Sequence, residues 1–189
     1  MRITICGIPE LGEHRASGVT HVLSILDPGW PDPAAFADFP AHRRIALRFH
    51  DIIADMPGEI MPTERDVAVL LEYGREVMLA GPAAHLLVHC HAGVSRSTAS
   101  AALLMAQAEP ARPAEAIIAE IARQRPRAWP NLLMLEFGER LLGRVGEIVP
   151  AAGAQYRRVL DSQPHFAEFM TAAGRSRELE LAQAANSAL

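Results

Sequence analysis

The 189-residue chain has no lysine; every one of its 18 lysine-or-arginine positions is an arginine. That absence removes Schiff-base enzymes and P-loop nucleoside triphosphatases, because both depend on a lysine amine. Cysteine is scarce as well, limited to Cys6 and Cys90. Two thiols are too few for a disulfide framework and suit a compartment that keeps sulfur reduced. No apolar run approaches a membrane span, and Met1 to Gly7 lack the apolar core of a signal peptide, so the expected location is the cytoplasm. The formal net charge of -4 is mild, which provides no electrostatic case for nucleic acid or an anionic membrane as partner.

The composition does supply apolar residues, at 50% of the chain. At this length they can bury one ordinary core. Along the chain, Arg2–Cys6, Thr20–Leu26, Arg43–His50 and Leu86–His89 read as strands, and helical patterns lie between and after them. Asp32 followed by Pro33 reads as the cap of a short helix over Ala34–Phe39. Thr63 with Asp66 reads as the start of a helix whose apolar stripe includes Val67, Leu70, Leu71, Val77 and Met78. Strands alternating with helices imply an α/β fold, a mainly parallel central sheet of four to five strands flanked by helices. Cys6 and Cys90 would then lie on strands that can be neighbours, which leaves a regulatory disulfide open.

The densest chemistry lies between Leu86 and Met105. An apolar strand ends at Cys90, and an Ala- and Leu-rich helix follows from Ser97. Between them Cys90 and Arg96 are separated by five residues, His91, Ala92, Gly93, Val94 and Ser95. A loop of this size at a helix N-terminus converges its N–H groups into a concave anion site. Arg96 can grip two oxygens of a phosphoryl group with its planar guanidinium. The same positive surroundings favour thiolate at Cys90, which makes it a candidate nucleophile.

The segment His89-Cys90-His91-Ala92-Gly93-Val94-Ser95-Arg96-Ser97 resembles the signature loop of cysteine-dependent protein tyrosine phosphatases, and its Ala-Gly-x-Ser-Arg-Ser ending resembles the dual-specificity branch. The resemblance covers about the first 145 residues. It implies that residues 91 to 96 bind phosphate, that Ser97 stabilises the departing thiolate, and that His89 orients the loop by hydrogen bonding. It also implies a phosphatase domain over residues 1–147 that needs no cofactor and no metal. Expected partners are a phosphorylated protein or a small phosphate ester. Uncharged Ala92 and Val94 depart from the lysine-bearing loops of phosphoinositide phosphatases. The arginine-only, alanine-rich usage is a bacterial habit rather than a physical constraint.

Such chemistry needs a carboxylic acid to protonate the leaving oxygen. Asp32 lies in a literal Trp30-Pro31-Asp32, the tripeptide that names the acid loop of the larger tyrosine-specific enzymes, yet a further strand separates it from the helix before Cys90. In the family the acid lies one strand and one helix before the cysteine, an order that Asp51 and Asp55 meet. Asp51, directly after the strand, is the first choice and Asp55 the alternative acid.

Pro126 to Asn131 resembles a family segment that lies behind the loop, and Asn131 reads as the N-cap of a helix from Leu132 to about Leu142. Val149–Gly153 reads as a hinge, and Tyr156–Leu189 as a helical extension (residues 148–189) that packs on or trails the domain, with self-association a further use. Rival readings are an arsenate reductase or sulfurtransferase, a non-catalytic phosphate-binding module, and a metal site at His85, His89, Cys90 and His91. Alternation along the strand argues against the last.

Overall fold

The computed structural model describes residues 1–185 of the chain, so the last four residues of the expected C-terminal helix lie outside the described residues. Its centre is a parallel sheet of four strands, β1 (Arg2–Gly7), β2 (His21–Leu26), β3 (Arg43–Arg48) and β4 (His85–Cys90), in the order β1-β4-β2-β3. The α/β class and parallel sheet expected from the sequence are therefore present. β4, the strand that ends in Cys90, lies inside the sheet between β1 and β2.

Side chains alternate across the sheet, and this decides two of the sequence readings. Ile3, Ile5, Leu23, Ile25, Leu86, Val88 and Cys90 join the large core, where helices α1 (Glu64–Leu79), α2 (Arg96–Ala108), α3 (Ala114–Gln124) and α4 (Leu132–Leu142) contribute the other side. Cys6, Val22 and Leu87 face a smaller cluster covered by two 3-10 turns, Ile8–His14 and Ala34–Asp38. Cys6 pairs with His89 and Gly7 with Cys90, so the two thiols stand on opposite faces. Both are free, and a disulfide between them is ruled out by the strand register. Burial pushes the Cys6 thiol up to about 12, so it serves as a small core residue.

Helix starts follow the sequence closely where a local cap exists. Thr63 accepts from the Asp66 N–H while Asp66 accepts from the Thr63 N–H, a closed capping box. Asn131 accepts from the Met134 N–H at 3.1 Å and begins α4 as expected. Asp32 is not the expected cap. Its carboxylate pairs with Arg44 and Arg48 on β3, and Pro33 occupies the cap position of the 3-10 turn.

The expected hinge at residues 149–153 is also corrected. Those residues lie inside α5 (Ile148–Ser162), which is followed by α6 (Phe166–Ala172) and α7 (Ser176–Ala184) in place of one long helix. The buried Glu139 of α4 turns its carboxylate onto the first turn of α5, accepting from the N–H groups of Ile148 and Val149. A charge at that end satisfies otherwise orphaned donors and favours the helix dipole. Pro150 is harmless there, because its missing N–H belongs to the unbonded first turn. The extension is further tied down by Tyr156, whose ring stacks on Trp129 at 4.5 Å and whose hydroxyl donates to the Pro130 carbonyl. Among the described residues no helix is long and apolar enough to cross a membrane. Replacing Trp129 by Ala should cost about 3–5 kcal/mol, read as a lower denaturation midpoint, because this fully buried ring joins the extension to the domain.

Candidate active site

The segment from Cys90 to Arg96 leaves the carboxyl end of β4 and turns into α2. Each carbonyl in the loop is held from outside. His91 O accepts from the Ile8 N–H, Ala92 O and Gly93 O from the Arg125 guanidinium, Val94 O from the Trp129 N–H, and Ser95 O from the Ala99 N–H. A planar trans peptide points the next residue's N–H opposite to its carbonyl. Five carbonyls turned toward the scaffold therefore turn the N–H groups of residues 92 to 96 into the ring. Glycine makes the turn possible: Gly93 has φ +69°, and a Cβ there would fall 2.6 Å from the Cys6 backbone. Arg125, which holds two of the carbonyls, is itself set by Glu10 at 2.8 Å.

Cys90 and Arg96 face this ring. The Cys90 sulfur, 2% exposed as a residue, sits 3.2 Å from the Ser97 Oγ. Arg96 is 3% exposed, and its Nη1 donates to Asp27 Oδ1 and to the Phe49 carbonyl at 2.6 Å each. Its Nε, equally buried, has no hydrogen-bond partner among the described residues. A buried guanidinium N–H left unmatched costs free energy, and an anion held in the ring would relieve it. The loop borders a cavity of about 300 Å³ that also takes in Asp51, Arg175 and the side chains of Phe166, Phe169 and Met170.

Asp51 follows β3 and reaches this cavity, whereas Asp55 is exposed and does not border it. Asp51 Oδ1 accepts from Ser95 Oγ at 2.7 Å, Asn131 Nδ2 at 2.9 Å and Arg175 Nη1 at 3.1 Å. Its Oδ2 lies 4.0 Å from Arg96 Nε. Burial alone would raise its pKa, but the charges of Arg175 and Arg96 and the two hydrogen bonds outweigh burial and hold it below the usual carboxylate range.

The remaining predicted residues play supporting parts. His89 Nε2 lies 2.7 Å from Ser24 Oγ on the opposite sheet face, and burial lowers its pKa to about 4, so the ring is neutral near pH 7. His91 Nε2 accepts from the Asp27 N–H at 3.2 Å, and its ring tilts against Trp30 with centroids 4.4 Å apart. His85 instead bonds Thr4 on β1, so the histidines of the rival metal reading are dispersed.

Three features escaped the sequence reading. Asp27, the residue directly after β2, anchors Arg96; its place at the carboxyl end of that strand was the available clue. Asn131 joins Asp51 as well as capping α4. Arg175 comes from the extension, and nothing local in the sequence separates it from the other arginines.

The depressed Asp51 value also has a stability consequence. A carboxyl whose folded pKa is lowered adds stability that is present above its unfolded value, about 3.9, and is lost as pH falls through the folded value. Denaturation curves of wild type and Asp51→Asn should therefore converge as pH drops below about 3.9, after differing near neutrality in favour of wild type.

No family model matches the sequence, and no curated protein matches it. Solved structures do share the fold. Human DUSP28 aligns with TM-score 0.55 at 18% identity, over 75% of this chain and 94% of that one. The Cydia pomonella PTP-2 phosphatase aligns with TM-score 0.56 at 19% identity, over 74% of this chain and 85% of that one. PTPMT1, in a complex with PI(5)P, aligns with TM-score 0.53 at 16% identity, over 77% of this chain and 95% of that one. Sheet, flanking helices and loop position together give this chain the fold of the cysteine-dependent protein tyrosine phosphatases, of the dual-specificity-like kind.

Proposed function

We propose that the protein hydrolyses phosphate monoesters through a phosphocysteine, with phosphotyrosine in proteins as its foremost substrate and phosphoserine or phosphothreonine as further ones. One observation supports this reading: Cys90, Arg96 and the loop residues whose carbonyls are held outward line a single cavity that Asp51 also borders. In the first step Cys90, as thiolate, attacks phosphorus in line with the leaving oxygen. Arg96 and the ring of N–H groups hold the equatorial oxygens, and Asp51 delivers a proton to the departing alcohol or phenol. Water then attacks the phosphocysteine, losing its proton to Asp51, and phosphate leaves as Cys90 is released. Ser97, 3.2 Å from the sulfur, is placed to donate to the thiolate in that step.

The aromatic side chains of Phe166 and Phe169 beside the cavity support an aryl group next to the phosphate. The uncharged Ala92 and Val94 support a single phosphate rather than a polyanionic head group. Phosphoryl transfer of this kind draws on no metal and no organic cofactor.

Release of p-nitrophenol from p-nitrophenyl phosphate, with and without chelator, tests the scheme. Cys90→Ser should abolish turnover while retaining phosphate binding, and undiminished activity in that variant would refute the reading. Arg96→Ala should lose both binding and turnover, by about 10³-fold or more in kcat/KM. Asp51→Asn should lower kcat by about 10²–10⁴-fold with little change in KM.

A further inference from the structure

We propose that Arg175, clamped by Glu178 at the start of α7, is the positioning residue for Asp51, so that the C-terminal extension is a working part of the site. The inference rests on the reading of Asp51 as the acid.

Arg175 is 5% exposed and Glu178 is fully buried. Arg175 Nε and Nη2 donate to the two Glu178 oxygens at 2.7 Å each, a fork-to-fork pair. The guanidinium spends its other reach on the site, with Nη1 donating to Asp51 Oδ1 at 3.1 Å and Nη2 to Ser95 Oγ at 3.0 Å. Glu178 is fixed in turn by the Trp129 indole N–H and the Leu132 N–H, both next to the loop that carries Asn131. Behind Arg175 the chain turns at Gly174, φ +70°, where a Cβ would lie 3.8 Å from the Met56 sulfur. Met56, on the same loop as Asp51, is thus the side chain next to the turn that delivers Arg175.

A clamp whose use was only to fasten the extension would be complete with Glu178. The additional bonds to Asp51 and Ser95 point the cation at the acid and at the phosphate loop together. Arg96 approaches from the start of α2, Cys90 and His91 border the same cavity, and Asp27 lies behind Arg96 and His91. Arg175 approaches from the extension with Glu178 behind it, and buried Tyr156 lies near that pair. Arg96 cannot be altered without damaging phosphate binding. Altering Arg175 removes its bonds to Asp51 Oδ1 and Ser95 Oγ, and the pH optimum reports the first of these.

The test is the pH optimum of kcat/KM for the full-length enzyme on phenyl phosphate, whose basic leaving group makes proton delivery kinetically visible. The optimum lies midway between the group that must be ionised and the group that must be protonated. An arginine beside a carboxyl lowers its pKa by about 1–3, so removing that charge should raise the optimum by half as much, about 0.5–1.5 pH. Arg175→Gln should therefore move the optimum to higher pH. Glu178→Gln, which leaves the Arg175 charge less neutralised, should move it to lower pH, and Arg175→Lys should keep it near wild type. A folded fraction that stays constant across the pH range, checked by circular dichroism at each pH, scales the profile without moving its optimum, so the optimum is read only where that fraction is constant. A purely structural clamp would lower yield or stability in both glutamine variants and leave the optimum where it was, which would overturn the proposal. Asp51→Asn separates this from its premise. If that variant keeps the full wild-type profile, Asp51 is not the acid and the parent reading falls; if it loses one limb while Arg175→Gln and Glu178→Gln keep the optimum, the role of Arg175 alone falls.

Discussion

The site depends on one backbone constraint, that the carbonyls of residues 91 to 95 are all held outward. Peptide planarity converts that single fact into a ring of inward N–H groups. The outward bonds come from widely separated parts of the chain: Ile8 after β1, Arg125 after α3, Trp129 before α4, and the first turn of α2. A loop that turned its donors inward without those acceptor bonds would leave five carbonyls unpaired in a largely dry region, which is costly. The scaffold therefore specifies the anion site by satisfying the other side of each peptide.

The same logic of opposing demands orders the side chains. Arg96 gives one nitrogen to Asp27 and Phe49 and leaves Nε, 4.0 Å from Asp51 Oδ2, without a hydrogen bond. Asp51 is buried enough to resist ionisation, yet two guanidinium groups and two hydrogen bonds keep it a carboxylate. A dianionic guest would compete for those same cations and so favour the protonated acid.

How much of this was legible in the sequence follows the range over which each feature is determined. The signature loop could be read because its parts lie within nine consecutive residues and its strand and helix are local. Asp51 could be singled out because the family resemblance implies an acid one strand and one helix before the cysteine, and Asp51 follows the strand of that order. Asn131 was half legible: its cap bond to Met134 spans three residues, while its bond to Asp51 spans eighty. Asp32 misled as a helix cap because the two β3 arginines outcompete a backbone N–H for its carboxylate. The supposed hinge at residues 149–153 misled because the partner that stabilises that helix start, Glu139, lies on another helix.

By itself the chain determined the class of fold, through strand periodicity, and its signature loop and family resemblance single out Cys90, Arg96 and Asp51 for the roles proposed above. Tertiary structure alone decided that Cys6 and Cys90 face apart, that Asp27 anchors Arg96, and that an arginine from the far end reaches Asp51. Those outcomes turn on register and on long-range burial of charge, and no local pattern of residues records either.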